Sequence, residues 1–116
     1  MNNTDSTTAQ LPPIVARYFE LKESSDKALP IEVFTDDATV LDDGHTYRGR
    51  DAILEWLTGP ASAYTTTSTL SDVRRTGSTT KLIDLLEGNF PGGRIELTYR
   101  FTESPDGLIA ALAITA

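Results

Sequence analysis

The stretch Phe34-Thr-Asp-Asp-Ala-Thr-Val-Leu-Asp-Asp-Gly-His-Thr-Tyr-Arg-Gly-Arg-Asp-Ala-Ile53 changes structural type several times. It reads as a helix end, a strand, a tight turn, a short strand and the start of a new helix. Asp36 and Asp37 end the helix, because their short side chains compete for backbone hydrogen bonds. Thr39-Val40-Leu41 follows with β-branched residues suited to a pleated strand. Asp43-Gly44 is a turn pair: glycine takes positive φ without a Cβ clash, and aspartate tolerates it. Gly49-Arg50-Asp51 then leads into an apolar helical pattern. The two-residue period of a strand puts Val40 and Asp42 on one face. If Val40 faces a core, Asp42 is a carboxylate at the edge of that core, and this is the main functional clue.

Upstream, residues 1–10 are polar and carry no periodic apolar pattern, so a disordered N-terminal arm is expected there, with one domain over residues 11–116. Pro12 and Pro13 open a helix that ends about Glu23. Leu11, Ile14, Val15, Tyr18 and Phe19 form one apolar stripe along it. Tyr18 therefore belongs to the stripe, and its hydroxyl needs a partner if it is buried. A second helix is expected over about Ala28 to Thr35, with Pro30 in its first turn. A third runs from about Asp51 to Leu57, with Ile53, Trp56 and Leu57 on its apolar side and Gly59-Pro60 ending it.

Downstream the pattern turns to β. Tyr64 to Thr76 is Thr-rich and suits a long half-exposed strand. Thr79 to Glu87 puts Leu82, Asp84 and Leu86 on one face and Ile83 and Leu85 on the other. Arg94 to Thr102 alternates, with Ile95, Leu97, Tyr99 and Phe101 together. Pro105-Asp106-Gly107 marks a hairpin, and Leu108 to Ile114 is the last strand, with Leu108, Ala110, Leu112 and Ile114 on one face. Helices followed by strands imply an α+β fold. The expected architecture is a cone-shaped, curved antiparallel sheet packed on three helices from the N-terminal half. A cavity between the layers is where a small ligand binds.

Composition narrows the function classes. The 116 residues have a net charge of −7, with ten Lys and Arg against seventeen Asp and Glu spread along the chain. A surface of that sign repels phosphate backbones and anionic headgroups, so neither nucleic acid nor membrane is an expected partner. Cysteine is absent, which excludes thiol nucleophiles and thiolate metal sites. His45 is the single histidine, so a His-cluster metal site is excluded too. No signal peptide or membrane span is read, and a cytoplasmic location is the default expectation.

The chain resembles the NTF2-like superfamily, in particular SnoaL-like and ketosteroid-isomerase-like proteins. The resemblance is carried by Arg17-Tyr18, Phe34 to Asp42, Gly49 with Ala52-Ile53 and Trp56, Gly88-Asn-Phe-Pro-Gly92, and the final Phe101, Asp106-Gly107 and Ile109 hairpin. It runs over nearly the whole chain from Leu11. It implies the cystatin-like roll, a homodimer, no metal and no organic cofactor. It also implies acid/base chemistry of the isomerase or polyketide-cyclase kind on a carbonyl compound. By the same resemblance Asp42 matches the catalytic aspartate base, and Tyr18 the tyrosine that donates to the enolate oxygen. The position of a second donor, a protonated aspartic acid, falls at Leu97, which cannot donate; one such donor is worth about 10²–10³ in rate. The same fold also serves as a non-catalytic binding or dimerisation module.

Each site residue has a second reading. Asp42 is a base in an apolar cone, or a side chain capping the neighbouring turn. Tyr18 donates into the cavity, or is a core tyrosine with a structural partner. Asp84 lines the cavity with Leu82 and Leu86 as a stand-in for the missing acid, or faces solvent if the register is reversed. Trp56, Leu97 and Tyr99 are expected to line the ligand site, Trp56 doubling as a core anchor. His45 is expected near the cavity mouth.

Overall fold

Pro13 is the first residue of helix α1 (Pro13–Lys22) and Pro12 caps it, positions where a missing amide costs little because it would have no intrahelical partner. The computed structural model describes residues 11–116, so the N-terminal arm expected over residues 1–10 lies outside the described residues. Val15, Tyr18 and Leu21 form the buried side of α1. A 3₁₀ turn at Leu29–Val33 follows, in place of the α-helix expected over Ala28 to Thr35. Pro30 removes an amide at its start and the backbone is already extended at Phe34, which leaves too few residues for an α-helical ladder.

Strand β1 (Phe34–Asp42) and strand β2 (His45–Arg48) form a hairpin, followed by helix α2 (Arg50–Thr58) and a second 3₁₀ turn at Pro60–Ser62. Strands β3 (Thr66–Thr76), β4 (Thr79–Gly88), β5 (Arg94–Glu103) and β6 (Ile109–Thr115) complete the chain. The six strands make one sheet in the order β2-β1-β6-β5-β4-β3. The fold is α+β, with two corrections. Among the described residues two α-helices and two 3₁₀ turns take the place of three helices. The sheet is mixed and not purely antiparallel: β6 inserts beside β1 and runs parallel to it, a long-range pairing that local patterning does not encode.

Asp36 and Asp37 do not end a helix; they are exposed residues within β1. Pairing jumps from Phe34↔Ile109 to Thr39↔Ala111, so β1 carries extra residues here and turns both carboxylates outward. At the far end Asp43 and Gly44 have φ of 52° and 76° and close the Asp42↔His45 pair, the turn whose twist matches a hairpin. β6 holds a further irregularity. Its partners pass from Glu103↔Ile109 to Thr102↔Ala111, leaving Ala110 as an extra residue. Burial therefore falls on Ile109, Leu112 and Ile114, and not on Leu108 and Ala110 as strict alternation predicts.

The core lies between the helices and one sheet face. Tyr18 meets Phe34 and Phe101 edge to face, with centroids 6.0 Å and 5.5 Å away, the arrangement that aromatic quadrupoles favour. On β4 the inward side chains are Thr80, Leu82 and Asp84, all fully buried. Along β5 burial fades on the inward face: Phe101 is 0% exposed, Tyr99 3% and Ile95 38%. The core is thus filled at the Phe101 end and opens toward Ile95. Gly88 binds β4 tightly to β3, since a Cβ there would strike the Thr65 carbonyl oxygen. No helix among the described residues is long and apolar enough to cross a membrane.

Candidate functional site

Asp42 ends β1 two residues beyond fully buried Val40, on the same face, and is itself half-buried. Its position is set from the neighbouring helix. Ile53, Trp56 and Leu57 form the buried side of α2, and the Trp56 indole N–H donates to Asp42 Oδ2 at 2.9 Å. Tyr47 on β2 packs against the same indole, with ring centroids 6.2 Å apart. A hydrogen bond to a carboxylate is among the stronger kinds, so Trp56 orients this side chain.

Tyr18 lies on α1 with its ring clamped by Phe19, Phe34 and Phe101. Among the described residues its hydroxyl has no hydrogen-bond partner. Burial pushes the phenol well above its usual range, and the Asp42 and Asp84 charges push it further. It is therefore a donor that keeps its proton.

Both residues border one cavity. Its apolar lobe, of about 350 Å³, is lined by Tyr18, Asp42, Trp56, Leu97, Tyr99 and Ile114 among others. A more polar lobe of about 300 Å³ includes Ser62, Thr66 and Ser68. Tyr18, Lys22, Ala61, Tyr64 and Thr66 border both lobes. Tyr64 and Phe90, with ring centroids 5.9 Å apart, stand at the rim. Asp42 and Leu97 also border an outer recess beside the Asp43-Gly44 turn.

Asp84 is 0% exposed and faces inward from β4, directly across from Leu97 on β5. Such cross-strand partners share a sheet face. Ser68 donates to Asp84 Oδ2 at 3.0 Å, while Oδ1 has no partner. Burial raises the Asp84 pKa; the Lys22 charge and the Ser68 hydroxyl pull the other way. Asp84 does not border the cavity itself and reaches its wall through Ser68. Tyr99 is raised well above the ordinary phenol range, by burial first and then by Tyr18 and Asp84.

His45 is exposed on the outer side of the hairpin, its Nδ1 3.0 Å from the Asp43 carbonyl oxygen. It borders neither lobe. Among the described residues no group of three His, Asp or Glu side chains is arranged to hold a metal.

Lys22 is the site residue that the apolar pattern passed over. Its pKa is lowered by burial, against the opposing charges of Asp84 and Glu23. Its ammonium stands 5.8 Å and 6.0 Å from the ring centroids of Phe19 and Tyr99, contacts worth about 0.5–1 kcal/mol each. The signal was present: Lys22 is four residues beyond Tyr18 and so shares its face of α1.

A candidate polyketide cyclase, protein SMa1630 from Sinorhizobium meliloti, is 33% identical, with a TM-score of 0.85 over 93% of this chain and 98% of that one. The chain belongs to the NTF2-like, SnoaL-like superfamily. Two further solved structures share its fold at lower identity. The epoxide hydrolase/cyclase-like enzyme SalBIII of salinomycin pyran-ring formation is 22% identical, with a TM-score of 0.75 over 97% of this chain and 92% of that one. The Δ5-3-ketosteroid isomerase from Mycobacterium sp. is 20% identical, with a TM-score of 0.74 over 91% and 94%. No family model matches the sequence, and no curated protein matches it. The SnoaL-like chain thus shares its fold with proteins named for cyclase and isomerase chemistry.

Proposed function

We propose that this SnoaL-like protein binds a small, largely apolar carbonyl compound in its cavity and performs acid/base chemistry of the isomerase or cyclase kind. The observation that carries this reading is the meeting of Asp42 and Tyr18 on one apolar lobe, with Asp42 oriented by Trp56. Asp42 takes the proton next to the carbonyl, and the developing enolate oxygen accepts a hydrogen bond from Tyr18. The apolar walls at Leu97, Tyr99 and Ile114 keep water from competing with both steps. Asp84, beside Leu97 on the next strand, is the acid nearest in sequence pattern to a second donor. Relationship to a candidate polyketide cyclase supports the same class of chemistry.

A second reading is a binding module without chemistry. Leu97 at the second donor position favours it, as does the separation of Asp84 from the cavity wall.

Binding comes first in either case. Trp56 is the single tryptophan and borders the apolar lobe, so its fluorescence reports occupancy. Titration with 2-naphthol, an apolar mimic of an enol, is expected to quench it saturably. A linear, non-saturating response would remove the cavity from the proposal.

A further inference from the structure

Among the described residues the Lys22 ammonium has no ion-pair or hydrogen-bond partner. The ion pairs among the described residues join Arg17 to Glu32, Arg50 to Asp36 and Arg75 to Glu103. The Lys22 backbone carbonyl accepts a hydrogen bond from Lys27 Nζ at 3.2 Å, but no described residue accepts one from Lys22 Nζ. Aromatic faces of Phe19 and Tyr99 flank the ammonium. The Asp84 charge acts on Lys22, but no hydrogen bond or ion pair among the described residues joins the two, and Asp84 Oδ2 is held by Ser68. A half-buried ammonium without an acceptor is costly, and an anion brought to it removes that cost.

Lys22 stands where the two lobes meet. Three other polar side chains of the polar lobe are already engaged. Ser62 Oγ donates to the Leu57 carbonyl, Ser68 Oγ to Asp84, and Lys27 to the end of α1. Lys22 is the charged donor left in the polar lobe; Arg94 borders the apolar lobe alone, from the exposed start of β5. Glu23 also borders this lobe but is exposed at its edge.

We propose that the ligand carries a carboxylate, which Lys22 binds in the polar lobe while the apolar body extends past Tyr99 and Leu97 toward Asp42. Such a ligand is an amphipathic acid whose two ends match the two lobes. This rests on the cavity reading above and adds the chemical class of the ligand.

The test compares 2-naphthylacetate with its uncharged primary amide, both followed by Trp56 fluorescence. Wild type is expected to bind the acid about tenfold more tightly than the amide, the scale of one charge-assisted hydrogen bond. Lys22→Met should lose that preference, and Lys22→Arg should keep it. Equal binding of acid and amide by wild type overturns the inference even if a variant fails to fold. So does unchanged acid affinity in a folded Lys22→Met protein. If the amide and 2-naphthol bind but the acid gains nothing, only the carboxylate inference falls. If none of the three binds, the cavity reading falls with it.

Discussion

Trp56 and Asp42 are joined by a 2.9 Å hydrogen bond from the indole N–H to carboxylate Oδ2. It links α2 to the end of β1 and fixes an acid at the border of an apolar cavity. Trp56 is 1% exposed, so the bond is shielded from water on the indole side. The pair couples core packing to the site: the ring anchors α2 while its polar edge sets the carboxylate's direction.

Trp56→Phe separates these roles. The phenyl ring keeps most of the apolar contact but cannot donate. Loss of a hydrogen bond to a carboxylate, together with the volume left empty, should cost about 2–3 kcal/mol in urea unfolding. Proton abstraction should fall as well, because Asp42 is no longer held. Unchanged stability and unchanged rate would show that the bond orients nothing.

Tyr18→Phe should behave in the opposite way. The ring contacts with Phe34 and Phe101 survive, and the hydroxyl has no partner to lose among the described residues. Stability should stay within about 1 kcal/mol of wild type. Affinity for 2-naphthol should drop about tenfold, because the ligand oxygen loses its donor. A large destabilisation with unchanged affinity would make Tyr18 a structural tyrosine.

Asp84 predicts a pH dependence. Its folded pKa is raised above the model-compound value of 3.8, chiefly by burial. The folded protein therefore holds this proton more tightly than the unfolded chain does. The stabilisation is fully present below the unfolded pKa and is lost as pH rises through the raised folded one. Asp84→Asn has no such proton. Urea melts from about pH 3 to about pH 8 should show wild type losing stability relative to Asp84→Asn as pH rises, with the variant the more stable at neutral pH. Parallel curves would contradict the assignment.

Much of this was legible in the sequence, for local reasons. The Asp43-Gly44 turn and the shared face of Val40 and Asp42 follow from turn chemistry and two-residue alternation, which also groups Leu82 with Asp84 but leaves open whether that face is the buried one. What escaped depends on partners distant in the chain. Insertion of β6 parallel to β1 is decided by sheet closure. The extra residue at Ala110 moves burial from Leu108 to Ile109 without any glycine or proline to mark it. Asp36 and Asp37 looked like a helix end because exposed aspartates are uncommon inside strands; an irregular register accommodates them. Lys22 is not marked by the apolar pattern, because a long charged side chain can lay its stem along apolar surface without belonging to the stripe.

Hydrogen–deuterium exchange at the α-carbon of an apolar ketone such as 2-tetralone, followed by NMR, tests Asp42 as a base most directly. The comparison is wild type against Asp42→Asn, whose amide oxygen still accepts from Trp56 and should keep the melting temperature close to wild type. Wild type is expected to exchange the proton faster than buffer, and Asp42→Asn to lose at least about a hundredfold of that acceleration while still binding the ketone by Trp56 quenching. Exchange by wild type no faster than buffer, or equal exchange by a folded Asp42→Asn protein, would contradict it.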